Sequence, residues 1–374
     1  MTRNFLLLCA AFLAATAFAC APALAPPPLV GGGPSALSWP LASCDPDSFA
    51  NAVQMARPFP LLTNITPVSD GPVQPNMRAD LRGAFAMAPP FFQRRLCGLD
   101  GVFVSENAES WGFRNVNDRK QYVGVTKDLW NGNAPAIPYA AFENGILKAL
   151  LRGWPGPQHP PGGPNPAESA RTVLAALAHE YGHVLWYVTY VPMPGGPAHF
   201  ENFCSDGTSN FYTGPLGSWV NTVGEPPPSM SPPSRWRFFG DIAGTHKTGD
   251  DLDGLLASIP PPGGPDTGGA GKKLRGLYAR PGVGATGRWA GLFAAFSPQE
   301  DFVETFKLFV LRKAAAPLQS LPMDIPIGAG RATEDIPATC SSRPALQRKL
   351  ACFQSSLCGD PAADPCGFTC AVRP

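Results

Sequence analysis

Three residues in this chain carry the makings of a metal site. They are His179, Glu180 and His183, in the run His179-Glu180-Tyr181-Gly182-His183. Residues four apart on a helix stand one above the other on the same face, so the two imidazoles can aim at one ion. Glu180 lies about 100° round the helix from His179, within reach of a water at that ion. Zinc suits such a site, because it takes imidazole and carboxylate ligands in a tetrahedral shell and tolerates an open fourth position. With five His and ten Glu in 374 residues, chance produces this pattern in on the order of two chains per thousand. The competing explanation, two histidines that merely pack or hydrogen-bond, leaves Glu180 between them without a role.

The elements that must position these residues are two helices. The first is predicted over Glu168 to Val188, because Val173, Leu174, Leu177, Tyr181, Val184, Leu185 and Val188 recur at helical spacing. Two histidines do not complete a catalytic zinc site, and a third protein ligand is needed. The extended pattern that adds a histidine six residues further on is excluded, since its Gly and His positions are Trp186 and Thr189. On chemistry alone His199, Glu201, Asp206 and His246 remain open. A better source is the segment Ser297-Pro298-Gln299-Glu300-Asp301-Phe302-Val303-Glu304-Thr305-Phe306, which begins a second amphipathic helix running through Leu311. Glu300 and Glu304 share a face there, so one can ligate while the other hydrogen-bonds a ligating histidine. Ser297 with Glu300 also reads as a capping box, with Pro298 as the first helical residue. Capping does not account for Glu304 on the same stripe.

These two helices together resemble the gluzincins, zinc peptidases whose third ligand is a glutamate. Glu300-Asp301-Phe302-Val303-Glu304-Thr305-Phe306 is similar to the corresponding helix of the anthrax lethal factor type. The resemblance covers about 40 of the 374 residues. It implies a Zn(2+) held by His179, His183 and Glu300, with Glu180 as general base and Glu304 holding a ligand ring. It implies an α+β zincin-like metallopeptidase fold with a small twisted sheet ahead of the motif helix. The expected activity is hydrolysis of peptide bonds by a zinc-activated water, with protein or peptide as substrate. Such relatives carry a tyrosine shortly before the third ligand. That position is Phe293 here, with Tyr278, Tyr212 or a residue of the insertion as substitutes. A zinc hydrolase of a non-peptide amide, and a non-catalytic secreted or surface binding protein on the same scaffold, are the alternatives.

The rest of the chain frames that core. Net charge is +1 with 15% charged residues, which argues against a nucleic-acid or acidic-membrane partner. Asp45-Pro46-Asp47 can cap a short helix over Ser48 to Ala56, and another helix is expected from Met77 to Ala88, stopped by Pro89-Pro90. Gly101 to Val104 and Tyr122 to Thr126 read as strands, with a polar, turn-rich segment from Ser105 to Gln121 between them. Ala140 to Leu151 reads as helix. Domains are expected at 1–25 (signal peptide), 26–42 (Pro/Gly-rich linker), 43–331 (the metallopeptidase domain, with an irregular insertion at 192–287) and 332–374 (a Cys-rich tail). The leader implies a secreted or cell-surface protein of bacterial type, with a lipid anchor at Cys20 as the lipoprotein alternative. No stretch is long and apolar enough to span a membrane. Eight cysteines follow the leader, enough for up to four disulfide bonds after export. Nothing in the sequence bears on oligomeric state.

Overall fold

The computed structural model describes residues 39–59, 64–107, 109–130, 132–139, 141–143, 166–190, 290, 298–314, 321–327, 330–336, 350, 353–354 and 357. The leader, most of the linker, the 192–287 insertion, Phe293, Ser297 and every cysteine but Cys44 and Cys97 lie outside them.

Asp45 caps the first helix, α1 (Pro46–Ala52), its carboxylate accepting from the backbone N–H groups of Asp47 and Ser48 at 3.0 and 2.9 Å. The helix is shorter than its sequence suggests. Gln54–Ala56 leaves it to become strand β1. Strand β2 (Ser69–Pro72) precedes α2 (Pro75–Met87). The Pro89-Pro90 pair ends α2 as expected, but Pro90 then opens a further helix, α3 (Pro90–Cys97). Proline fits the first helical position, where its missing N–H costs nothing, so the same residues that stop one helix start another.

Strands β3 (Gly101–Ser105) and β5 (Gln121–Thr126) pair in parallel, with Val102 opposite Val123 and Val104 opposite Val125. Their near-continuous burial matches the valine-rich runs of sheet strands covered on both faces. The segment between them is not only turn. Trp111–Arg114 forms β4, antiparallel to β5. The result is a mixed five-stranded sheet in the order β2-β1-β3-β5-β4, within an α+β architecture.

One face of this sheet, with Val102, Val104, Val123 and Val125, joins the main core formed with α2, α3 and the two long helices. The other face carries Phe103, Trp111, Phe113 and Tyr122, with Phe59 and Tyr187 packed against them. Asp80, buried on α2, accepts hydrogen bonds from Trp130 Nε1 and the Ala136 N–H, both at 2.8 Å. That ties the 130–136 segment to α2. Ser169 and Thr172 then bond the carbonyls of Ala136 and Ile137 at 2.8 and 2.7 Å, anchoring the start of the next helix.

That helix, α4 (Pro166–Tyr190), carries the histidine motif. It packs against α2, β4, β5 and α5 (Pro298–Lys313). Although its sequence suggests an amphipathic helix, α5 is buried nearly all round. Phe302, Val303, Phe306, Phe309 and Val310 are fully buried, and Phe353 fits among the rings of Phe302, Phe306 and Phe309 with centroids 4.9–5.9 Å away. Glu300 and Asp301 in its first turn, and Arg312 and Lys313 in its last, complement the helix dipole. Strands β6 (Leu321–Ile327) and β7 (Gly330–Ile336) form a separate antiparallel pair. Among the described residues no helix is long and apolar enough to cross a membrane.

Candidate metal centre

The site forms where α4 and α5 cross. Gly182 makes the crossing close, since a Cβ there would stand 3.1 Å from the Val303 Cα. His179 and His183 project from one face of α4, their rings edge to face with centroids 5.0 Å apart. From α5, Glu300 brings Oε2 to 3.8 Å from His179 Nε2 and Oε1 to 3.7 Å from His183 Nε2. One ligand atom from each of the three residues lies within 4.8 Å of the other two. Zinc–ligand bonds of about 2.0–2.1 Å in a tetrahedron separate neighbouring ligand atoms by roughly 3.4 Å. The two contacts use different oxygens of Glu300, and the set with one atom per residue spans up to 4.8 Å, so the three side chains must draw inward to hold a small divalent cation.

Glu304, one turn beyond Glu300, is buried and sets its Oε1 2.7 Å from His179 Nδ1. With the proton on Nδ1 donated to that carboxylate, the lone pair of Nε2 points toward Glu300, which is the tautomer a metal ligand needs. Behind Glu304 stands Lys307. Its ammonium donates to Glu304 Oε2 at 2.9 Å and to Glu143 Oε1 at 2.7 Å, and all three side chains are buried.

Electrostatics match the geometry. Burial raises Glu180 to about 8, with neighbouring Glu300 and Glu109 reinforcing it and His179 opposing it. Burial likewise raises Glu300 to about 7, against the pull of His179. At His179 burial favours the neutral ring, but the Glu304 hydrogen bond and the surrounding carboxylates outweigh it and raise the pKa to about 9. His183 moves the other way, to about 3, through burial and the charge of His179. At Glu304 burial is overcome by Lys307 and His179, which hold the carboxyl well below its usual range. Carboxylates gathered this way are relieved by a cation at their meeting point.

All five residues singled out in the sequence, His179, Glu180, His183, Glu300 and Glu304, fall in this one cluster. The other proposed ligands, His199, Glu201, Asp206 and His246, lie outside the described residues, as do Tyr212 and Tyr278. Sequence reasoning missed Lys307, Glu143 and Gly112. A signal for Lys307 existed: it is a lone lysine three residues after Glu304 in an otherwise apolar run. Gly112 matters because β4 passes directly beneath the motif. A Cβ at that position would lie 1.8 Å from the Glu180 carbonyl oxygen, so only glycine allows the strand this close to α4. Tyr187, one turn past His183, has its phenol raised to about 12 by burial and by Glu300, so its hydroxyl stays protonated.

No protein-family model matches the chain, and comparison with curated proteins and with solved structures returns no match either.

Proposed function

We propose that this chain is an exported zinc-dependent metallopeptidase of the gluzincin type, built on a zincin-like domain, with His179, His183 and Glu300 as the zinc ligands. One observation carries the reading. Glu300, far along the chain from the motif, brings both carboxylate oxygens to within 3.8 Å of the two motif histidines. A purely structural metal site has no use for a carboxylate at Glu180, buried beside the ligands. Export is supported by the signal-like N-terminus and by the Cys44–Cys97 disulfide, a bond that persists in oxidising compartments.

When bound, zinc supplies Lewis-acid polarisation of a carbonyl and a water of lowered pKa. The chain's own residues do the rest. His179 and His183 present neutral Nε2 atoms, and Glu304 keeps the His179 proton on Nδ1. The Glu180 carboxylate accepts a proton from the attacking water and delivers it to the leaving amine. Burial raises the Glu180 pKa to about 8, and a nearby dication lowers it again, so the group can be base and then acid near neutral pH. Among the described strands β4 lies at the edge of the sheet, and it touches α4 at Glu180. Its outer edge offers main-chain donors and acceptors to an extended peptide.

The test is metal content of wild type and Glu300→Ala, followed by turnover of peptide and of glycan-linked amide substrates. One zinc per wild-type chain, strong loss in the variant and cleavage of peptides are expected. Full zinc in both proteins removes Glu300 from the site and refutes the ligand set.

A further inference from the structure

Resting on the metal site just described, a second layer of the network has its own consequence. On α5, Glu300, Glu304 and Lys307 fall at i, i+4 and i+7 and so share one stripe. Lys307 has only donors to offer. Its ammonium spans two carboxylates, one on its own helix and one at Glu143. Buried ion pairs are poor stabilisers, because the desolvation of both charges offsets their attraction, and apolar residues of similar volume often serve as well. Something other than stability is served by such a pair inside a helix buried nearly all round. The chain of contacts runs in one direction: Glu143 Oε1, Lys307 Nζ, Glu304 Oε2, then Glu304 Oε1 to His179 Nδ1.

We propose that Lys307, clamped by Glu143, is a positioning residue for the metal centre, fixing the Glu304 carboxylate so that its free oxygen orients the His179 ring. With Oε2 pinned by the ammonium, the carboxylate plane has one setting. Oε1 then accepts from Nδ1–H, and Nε2 faces Glu300. Glu143 supplies the second anchor and keeps the lysine from swinging away. The network therefore acts on metal affinity through ring orientation, without Lys307 touching the metal or the substrate.

Zinc affinity, measured by competition with a chromophoric chelator, tests this on the full-length mature protein, alongside the visible spectrum of the cobalt(II)-substituted form. Lys307→Met is expected to weaken zinc binding by about 10–100-fold and to shift the cobalt bands, as loss of an outer partner does elsewhere. In a Glu304→Gln background the same change should cost no more than about twofold further, because Lys307 acts through Glu304. Unchanged affinity and spectrum in folded Lys307→Met, even with a lowered Tm, overturn the proposal, as does a full additive cost on top of Glu304→Gln. If Lys307→Met does not fold, Glu143→Met carries the test, since it removes the second anchor while leaving Lys307 paired with Glu304. It should weaken zinc by about threefold or more, and unchanged affinity overturns the proposal. Wild type that binds no zinc defeats the metal site itself and this inference with it. Wild type that loses zinc on Glu300→Ala but is indifferent to Lys307 defeats the inference alone.

Discussion

Glu180 is the residue on which chemistry and metal binding separate. It is buried beside His179 and Glu300 and, in the proposed function, acts on the proton and not on the metal, so Glu180→Gln should keep its zinc while peptide turnover falls by about 10²–10⁴-fold or more. Metal analysis and a turnover assay on the same preparation check this. The ligands themselves predict a pH dependence. Zinc binding must displace a proton from His179, raised to about 9, and from Glu300, raised to about 7. His183, lowered to about 3, has none to lose in that range. Zinc affinity should therefore climb as pH rises from about 6 to about 9, by up to about tenfold per pH unit for each proton released, and then level off. A competition titration at several pH values reads this directly, and a flat profile contradicts the ligand set. At this scale the four-residue spacing made the two histidines legible as a pair. The approach of Glu300 was a different matter: no periodicity spans the distance from His183, and what pointed there was the four-residue spacing of Glu300 and Glu304 on a second helix, together with the likeness of that helix to a known one.

Among the elements, β4, which passes closely beneath Glu180, was least legible. Its four residues, Trp111 to Arg114, alternate buried and half-buried, but turn-forming Ser, Asn and Asp residues on both sides hide so short a period. Three-residue β1 is shorter still. By contrast β3 and β5, each a run of Val and aromatic residues, declare themselves by composition. Gly112 gives β4 its test. The atom 1.8 Å from a Cβ there is a backbone carbonyl in the middle of a buried helix, so no side chain can swing aside. Gly112→Ala is expected to cost about 1–3 kcal/mol of stability through overpacking. It should also reduce peptide turnover by a larger factor than it reduces zinc content, because the strand shifts while the ligands stay on α4 and α5. Denaturant unfolding, turnover and metal analysis together decide it. The amphipathic pattern in α5 understated its burial while placing Glu304 inward, as found. Its polar positions Asp301, Glu304, Thr305 and Lys307 are all buried, so polarity in the sequence did not mean exposure.

Across the whole molecule, the Cys44–Cys97 bond ties the residue ahead of α1 to the end of α3 over a separation of 53 residues. A loop of that length restricts the unfolded chain enough to contribute about 4 kcal/mol in the loop-entropy view, within a usual range of about 2–5. Cys97→Ser should lower unfolding stability by that amount. Reductant should bring wild type down toward the variant and leave the variant's α1–α3 region unaffected. Equilibrium unfolding with and without reductant is the measurement. That Cys44 pairs with Cys97 could not be read from the sequence, since spacing alone leaves many connectivities open. Phe353 adds a constraint of another kind, one of timing. Its ring completes the aromatic cluster around Phe302, Phe306 and Phe309, on the helix that bears Glu300. A nascent chain holds both histidines long before residue 353 has been made, yet the helix that bears Glu300 is still missing one of its largest packing partners. The histidine motif is thus made before the last ring of the cluster around the Glu300 helix, so a half-synthesised chain carries only part of the proposed centre.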